Sequence, residues 1–192
     1  MKKANEIKTN PNLLIVILFI FFAALSRLLP HPPNFTAVGA IALFGGAWFN
    51  RQWLAWIIPV LAVWFTDLLL NNIIYAQYYD GFVLISKNFL FTAVALLLIV
   101  LIAKVLLKRI KLLNVVGASL GASAIFFLIS NFGVWIISSF YPPTLSGLLA
   151  AYTAGLPFFL NTVAGDLFFC SVMFGSYALL QKHYLQPVKQ RF

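Results

Sequence analysis

Charge is missing from stretches of this chain too long to bury inside a water-soluble domain. Residues 89–107 are Leu, Ile, Val, Ala and Phe with only Thr92 and Lys104 between them, and residues 112–181 hold one charged side chain, Asp166. About 20 apolar residues make a helix that crosses the ~30 Å hydrocarbon layer, and a helix satisfies its own backbone there. With 62% apolar, 17% aromatic and 9% charged residues, the chain must bury its surface in lipid. The expected fold is an all-α membrane protein. It has six transmembrane helices, both termini cytoplasmic, and a short extra helical or re-entrant piece before the last span.

Residues 1–12 read as a polar cytoplasmic tail, 13–181 as a single six-helix transmembrane domain and 182–192 as a second cytoplasmic tail. The first span covers 13–25 and extends to 29 past a snorkelling Arg27. Met-Lys-Lys before an apolar run also opens signal peptides, but no small-x-small cleavage site follows, which favours a retained helix. Pro30, Pro32 and Pro33 make the next segment a stiff, non-helical loop. The second span, 35–49, carries Gly39, Ala40, Ala42, Gly45 and Gly46, which let neighbouring backbones approach. The third, 53–70, contains Pro59 as a kink site. A loop at 71–88 follows, whose Tyr75, Tyr78 and Tyr79 suit the membrane interface. The fourth span, 89–107, reads as lipid-facing. The fifth, 114–138, opens with Gly117, Ala118, Gly121 and Ala122 as a packing face. Residues 146–181 are too many for one straight crossing at ~1.5 Å per residue. They divide into a short piece up to Gly155 and a sixth span, 157–181.

Charge sets the topology. With both ends cytoplasmic, only Arg27 and Lys87 of the 13 basic residues fall outside. This positive-inside bias sets the expected orientation, with both ends inside. It also accounts for the net charge of +9 through anionic inner-leaflet lipids, with no nucleic-acid partner. The single cysteine, Cys170, excludes an internal disulfide and reads as a core residue.

Seven polar side chains then fall in the outer half of the bundle. Arg27, His31, Asn34 and Asp67 lie at or near the outer surface. Asn131, Asn161 and Asp166 lie about 12, 6 and 13 Å below the outer ends of their helices. Polar groups facing lipid are costly, so all seven are expected to point inward and line one outward-facing cavity as substrate-binding residues. Arg27 and Asp67 can also form a structural ion pair. Asp166 has two readings: a structural partner for another helix, with Asn131 in range, or a ligand or proton site. No metal site is expected, since His31 and His183 fall on opposite sides and no cysteine cluster exists. No cofactor is expected either. Asp67 and Asp166 differ in depth by about 7 Å and lack a full Gly-x-Gly-Asp pattern, which argues against intramembrane aspartyl protease chemistry. No catalytic residue is assigned, and the chain is not read as an enzyme.

Several motifs are specific. Arg-Leu-Leu-Pro-His-Pro-Pro-Asn-Phe-Thr-Ala-Val-Gly-Ala (27–40), Thr-Asp-Leu-Leu-Leu (66–70), Ser-Asn-Phe-Gly-Val-Trp (130–135), Tyr-Pro-Pro-Thr-Leu-Ser-Gly-Leu (141–148) and Gly-Leu-Pro-Phe-Phe-Leu-Asn-Thr-Val-Ala-Gly-Asp-Leu (155–167) resemble a family of uncharacterised small bacterial integral membrane proteins. More loosely, six spans with Asn-Phe before a small-residue second span are similar to the S components of energy-coupling factor (ECF) vitamin transporters. That likeness implies capture of a vitamin or metal from outside near Asn34. It also implies a coupling subunit and two ATPases as membrane-protein partners. The Ala-x-x-x-Ala docking motif of S components is absent from residues 13–29, and no ATP-binding motif is present. The expected function is binding of a small solute from the outer side as an S-component-like subunit. Its expected partners are the lipid bilayer, a small-molecule ligand and other membrane proteins. The alternative is a structural or assembly subunit with no substrate of its own.

Overall fold

A computed structural model of the chain describes residues 11–183; tail residues 1–10 and 184–192 lie outside it. Six α-helices follow in order: α1 Pro11–Leu25, α2 Val38–Trp48, α3 Gln52–Leu69, α4 Phe89–Leu106, α5 Leu112–Ile137 and α6 Leu145–His183. Among the described residues there is no strand. Four helices are long and apolar enough to cross a membrane: α3 with a π-helical turn that carries it to Ile74, α4, α5 and α6. The chain is a multi-pass integral membrane protein.

The bundle is built around α2. Its 11 residues rise only ~16 Å, about half the hydrocarbon thickness, so the second helix is shorter than the expected crossing at 35–49. Every residue of α2 from Val38 to Gly46 is buried, and the helix touches all five others. Small residues make this possible. A Cβ at Gly39 would strike the Asp166 carboxylate of α6, one at Gly45 would lie 2.9 Å from Pro59 Cγ of α3, and one at Gly46 would lie 2.6 Å from Ala103 Cβ of α4. In lipid, close packing of this kind replaces the hydrophobic drive between helices. At its C-terminal end α2 meets an aromatic cluster, with Phe44 5.2 Å from Phe174 and Trp48 4.5 Å from Tyr177, ring centre to ring centre.

Three expectations change. α4 faces lipid on one side only: Leu90, Val94, Leu101 and Val105 are exposed, whereas Ala95, Leu96, Ile99, Val100 and Ala103 are buried against the bundle. The Gly117/Gly121 face divides, since a Cβ at Gly121 would lie 3.3 Å from Ile102 Cδ1 while one at Gly117 would meet nothing. Residues 146–181 are not broken at Gly155. α6 is one helix of 39 residues with Pro157 inside it, ~58 Å long. Proline costs a helix one hydrogen bond and a clash, and here packing on α5 offsets it. Phe127 of α5 lies 5.7 Å from Tyr152 and 4.9 Å from Phe159. Tyr152 Oη–H donates to the Leu128 carbonyl at 3.0 Å. These contacts straddle Pro157 and hold both halves of α6 to one neighbour.

The short connections leave Arg51, Lys104, Lys108, Arg109, Lys111 and Lys182 at one end of the bundle. There Lys104 Nζ sits 5.8 Å from the centre of the Trp56 ring. The proline loop and the 75–88 loop lie at the other end.

Candidate functional site

Because α2 begins partway down the bundle, the end of the proline loop, residues 35–37, enters it as irregular backbone. Such backbone is tolerated at membrane depth only where protein or a cavity surrounds it, and here both do. Ala37 is fully buried. Gly165 of α6 lets the two backbones touch: a Cβ there would lie 2.9 Å from Thr36 N. One turn higher, Asn161 Nδ2–H donates to the Pro33 carbonyl at 2.9 Å. Asn34 turns the chain at φ 63°, a left-handed conformation that asparagine tolerates better than most residues.

This descent buries the start of α2. The first N–H groups of a helix lack intrahelical partners. In α2, Ile41 N–H reaches Ala37 O at 2.8 Å, and the N-cap residue, Ala37, has no side-chain acceptor to offer. Asp166 of α6, 1% exposed, supplies one. Ala40 N–H donates to its Oδ1 at 3.2 Å, and Ser123 Oγ–H of α5 donates to its Oδ2 at 2.7 Å. One carboxyl group therefore ties α2, α5 and α6 together, with its acceptor oxygens at the N-terminal end of α2, where the helix dipole favours them. Asn131, expected in range of Asp166, has another partner: its Nδ2–H donates to Phe127 O at 2.8 Å. Its amide packs against Gly155, where a Cβ would collide with it.

Arg27 and Asp67 pair, Nη2 to Oδ1, at 2.6 Å. Arg27 Nη1–H also donates to Thr66 Oγ1 at 2.6 Å and to Val63 O at 3.2 Å. The guanidinium thus clamps the C-terminal end of α1 to the C-terminal part of α3. His31 folds back on its own loop, with ring nitrogens 2.9 Å from Pro32 O and 3.3 Å from Arg27 O.

Beside the descending loop lies a cavity of about 420 Å³. Its walls are Pro33 and Asn34, the start of α4, the C-terminal half of α5, Tyr141 and the first turns of α6. Asn34, Asn88, Thr92, Ser130, Asn131 and Tyr141 are its polar lining, and Phe126, Val134, Ala151, Ala154 and Phe158 its apolar lining. No charged side chain lines it among the described residues.

The seven residues singled out from the sequence therefore do not share one cavity. Asn34 and Asn131 line it, and Asn161 stands behind it, holding Pro33. Asp166 caps α2, Arg27 and Asp67 form the clamp, and His31 stays on the exposed loop. Asn88, Thr92, Ser130 and Tyr141 complete the polar lining without having been expected as binding residues. Ser130 and Tyr141 open two of the motifs quoted above, which is their only trace in the sequence. Among the described residues, no three His, Cys, Asp or Glu side chains come together as a metal site would need.

No curated protein and no solved structure matches the chain, so no comparison supports the likeness to S components. A family model does match, over residues 7–189. With nearly the whole length covered, the chain belongs to DUF6580, a family of unknown function.

Proposed function

We propose that this is a non-catalytic solute-binding protein of the bacterial inner membrane, with both termini cytoplasmic. In this reading it takes a small molecule from the outer side into the cavity beside Asn34, as an S-component-like transport subunit. Energy for uptake then comes from partner proteins. The observation that carries the reading is where the cavity sits. It lies at the end of the bundle away from Arg51, Lys104, Lys108, Arg109, Lys111 and Lys182, which is the outer end by the positive-inside rule. Its volume is in the range of small-molecule sites. Its lip is preformed by three prolines and the Asn161 hydrogen bond, so little ordering entropy is lost on binding.

Ala154→Phe tests this, because it fills the cavity from α6 and leaves Asp166 alone. Native mass spectrometry of protein released gently from its own membrane is expected to show a small molecule on the wild type and on Asp166→Asn, and none on Ala154→Phe. A stoichiometric protein partner on all three, with no small molecule on any, would refute the reading and establish an assembly subunit instead.

A further inference from the structure

Resting on that reading, we infer that the cavity selects uncharged solutes that both donate and accept hydrogen bonds, and that it excludes anions and cations alike. The inference comes from where each nearby charge goes. Arg27 is the cation closest to the proline loop in sequence, and its guanidinium is spent on Asp67, Thr66 and the Val63 carbonyl. Asp166 is the only carboxylate on α6, and its two oxygens are taken by Ala40 N–H and Ser123 Oγ–H. Lys87 is exposed and precedes Asn88, yet it is Asn88, not Lys87, that lines the cavity. What remains to meet a ligand is neutral.

The neutral groups are of mixed sense. Asn131 spends one amide proton on Phe127 O. That leaves an oxygen and a second proton, and Gly155 makes room for the amide. Asn34 and Asn88 add two more amides, and Thr92 and Tyr141 add hydroxyls, each able to donate and accept. A carboxylate or ammonium entering this site would leave water without meeting an opposite charge, which is strongly unfavourable. An uncharged amide, lactam or polyol would exchange its water hydrogen bonds for equivalent ones, while its apolar face meets Phe126 and Phe158.

The test needs no identified ligand. Ser130→Cys places a thiol in the cavity. Tyr78→Cys places one on the outer loop, where Tyr78 is 74% exposed. The native Cys170 is buried, so the wild type is the blank. Three methanethiosulfonates are compared on protein in lipid vesicles: neutral methyl, cationic trimethylammonioethyl and anionic sulfonatoethyl. Relative to Tyr78→Cys, Ser130→Cys is expected to favour the neutral reagent over both charged ones by about tenfold or more. Adding Asn131→Asp is expected to restore labelling by the cation alone. Equal labelling of Ser130→Cys by either charged reagent, after the same normalisation, overturns the selectivity and leaves the outward-open cavity standing. No labelling by any reagent overturns the cavity reading as well.

Discussion

Asp166 is the side chain whose removal separates structure from binding. Truncation to alanine takes the acceptor from Ala40 N–H, which has no carbonyl of its own to reach, and from Ser123 Oγ–H. Ser123 keeps the Ser119 carbonyl at 3.1 Å, so its loss is small. Ala40 N–H has no such second partner. An orphaned buried N–H costs about 1–3 kcal/mol, and loss of a charge at a helix N-terminus adds about 0.3–1 kcal/mol. Asp166→Ala should therefore destabilise the fold by about 1–4 kcal/mol. Asp166→Asn keeps an oxygen for Ala40 N–H and gives Ser123 an N–H to accept. It should lose only the charge–dipole part, about 1 kcal/mol. The assay is reversible unfolding in lipid bicelles, followed by tryptophan fluorescence, with Ser123→Ala beside both. An alanine variant as stable as the wild type would show that the start of α2 finds other acceptors. An asparagine variant as damaged as alanine would show that charge, not an acceptor in place, holds α2. Either result refutes the capping argument.

Two further substitutions test the packing. Arg27→Lys keeps the charge but not the fork that reaches Asp67, Thr66 and Val63 together, so it should lose most of what Arg27→Ala loses, about 2–3 kcal/mol by the same unfolding assay; full stability in the lysine variant would reduce the clamp to a simple charge pair. Gly165→Ala puts a Cβ 2.9 Å from Thr36 N and 3.0 Å from Thr36 O, both backbone atoms, while Gly175→Ala meets open space. The first should cost about 1–3 kcal/mol by overpacking and the second should be neutral or slightly stabilising, as expected for glycine to alanine in a helix; equal effects would rule out the close approach at Thr36.

Much of the architecture is decided along one dimension, and that dimension is legible in the chain. Hydropathy and the positions of Pro30, Pro32, Pro33, Pro142 and Pro143 set the number of helices and nearly all their ends. The charge distribution sets the expected sidedness. The Arg27–Asp67 pair is readable because both residues lie near the C-terminal ends of helices joined through one short one, so depth alone brings them together. Depth was not enough elsewhere. It grouped Asp166 with Asn131 and Asn161, but it carries no information on which way a side chain points around its helix. The packing of α2 against its five neighbours turned Asp166 inward to Ala40 and Asn131 outward to the cavity. The partner of Asp166 is also a backbone N–H, and a main-chain donor leaves no mark on residue identity. Length misled at α6, because crossing arithmetic assumes that a helix ends where the bilayer does. Contacts with Phe127 and Leu128 carry this one past Pro157. Residue order alone carries the membrane class, the six helices and the Arg27–Asp67 ion pair. The cap and the cavity lining come from the folded bundle, because both depend on rotations and backbone contacts that exist only once the helices are packed.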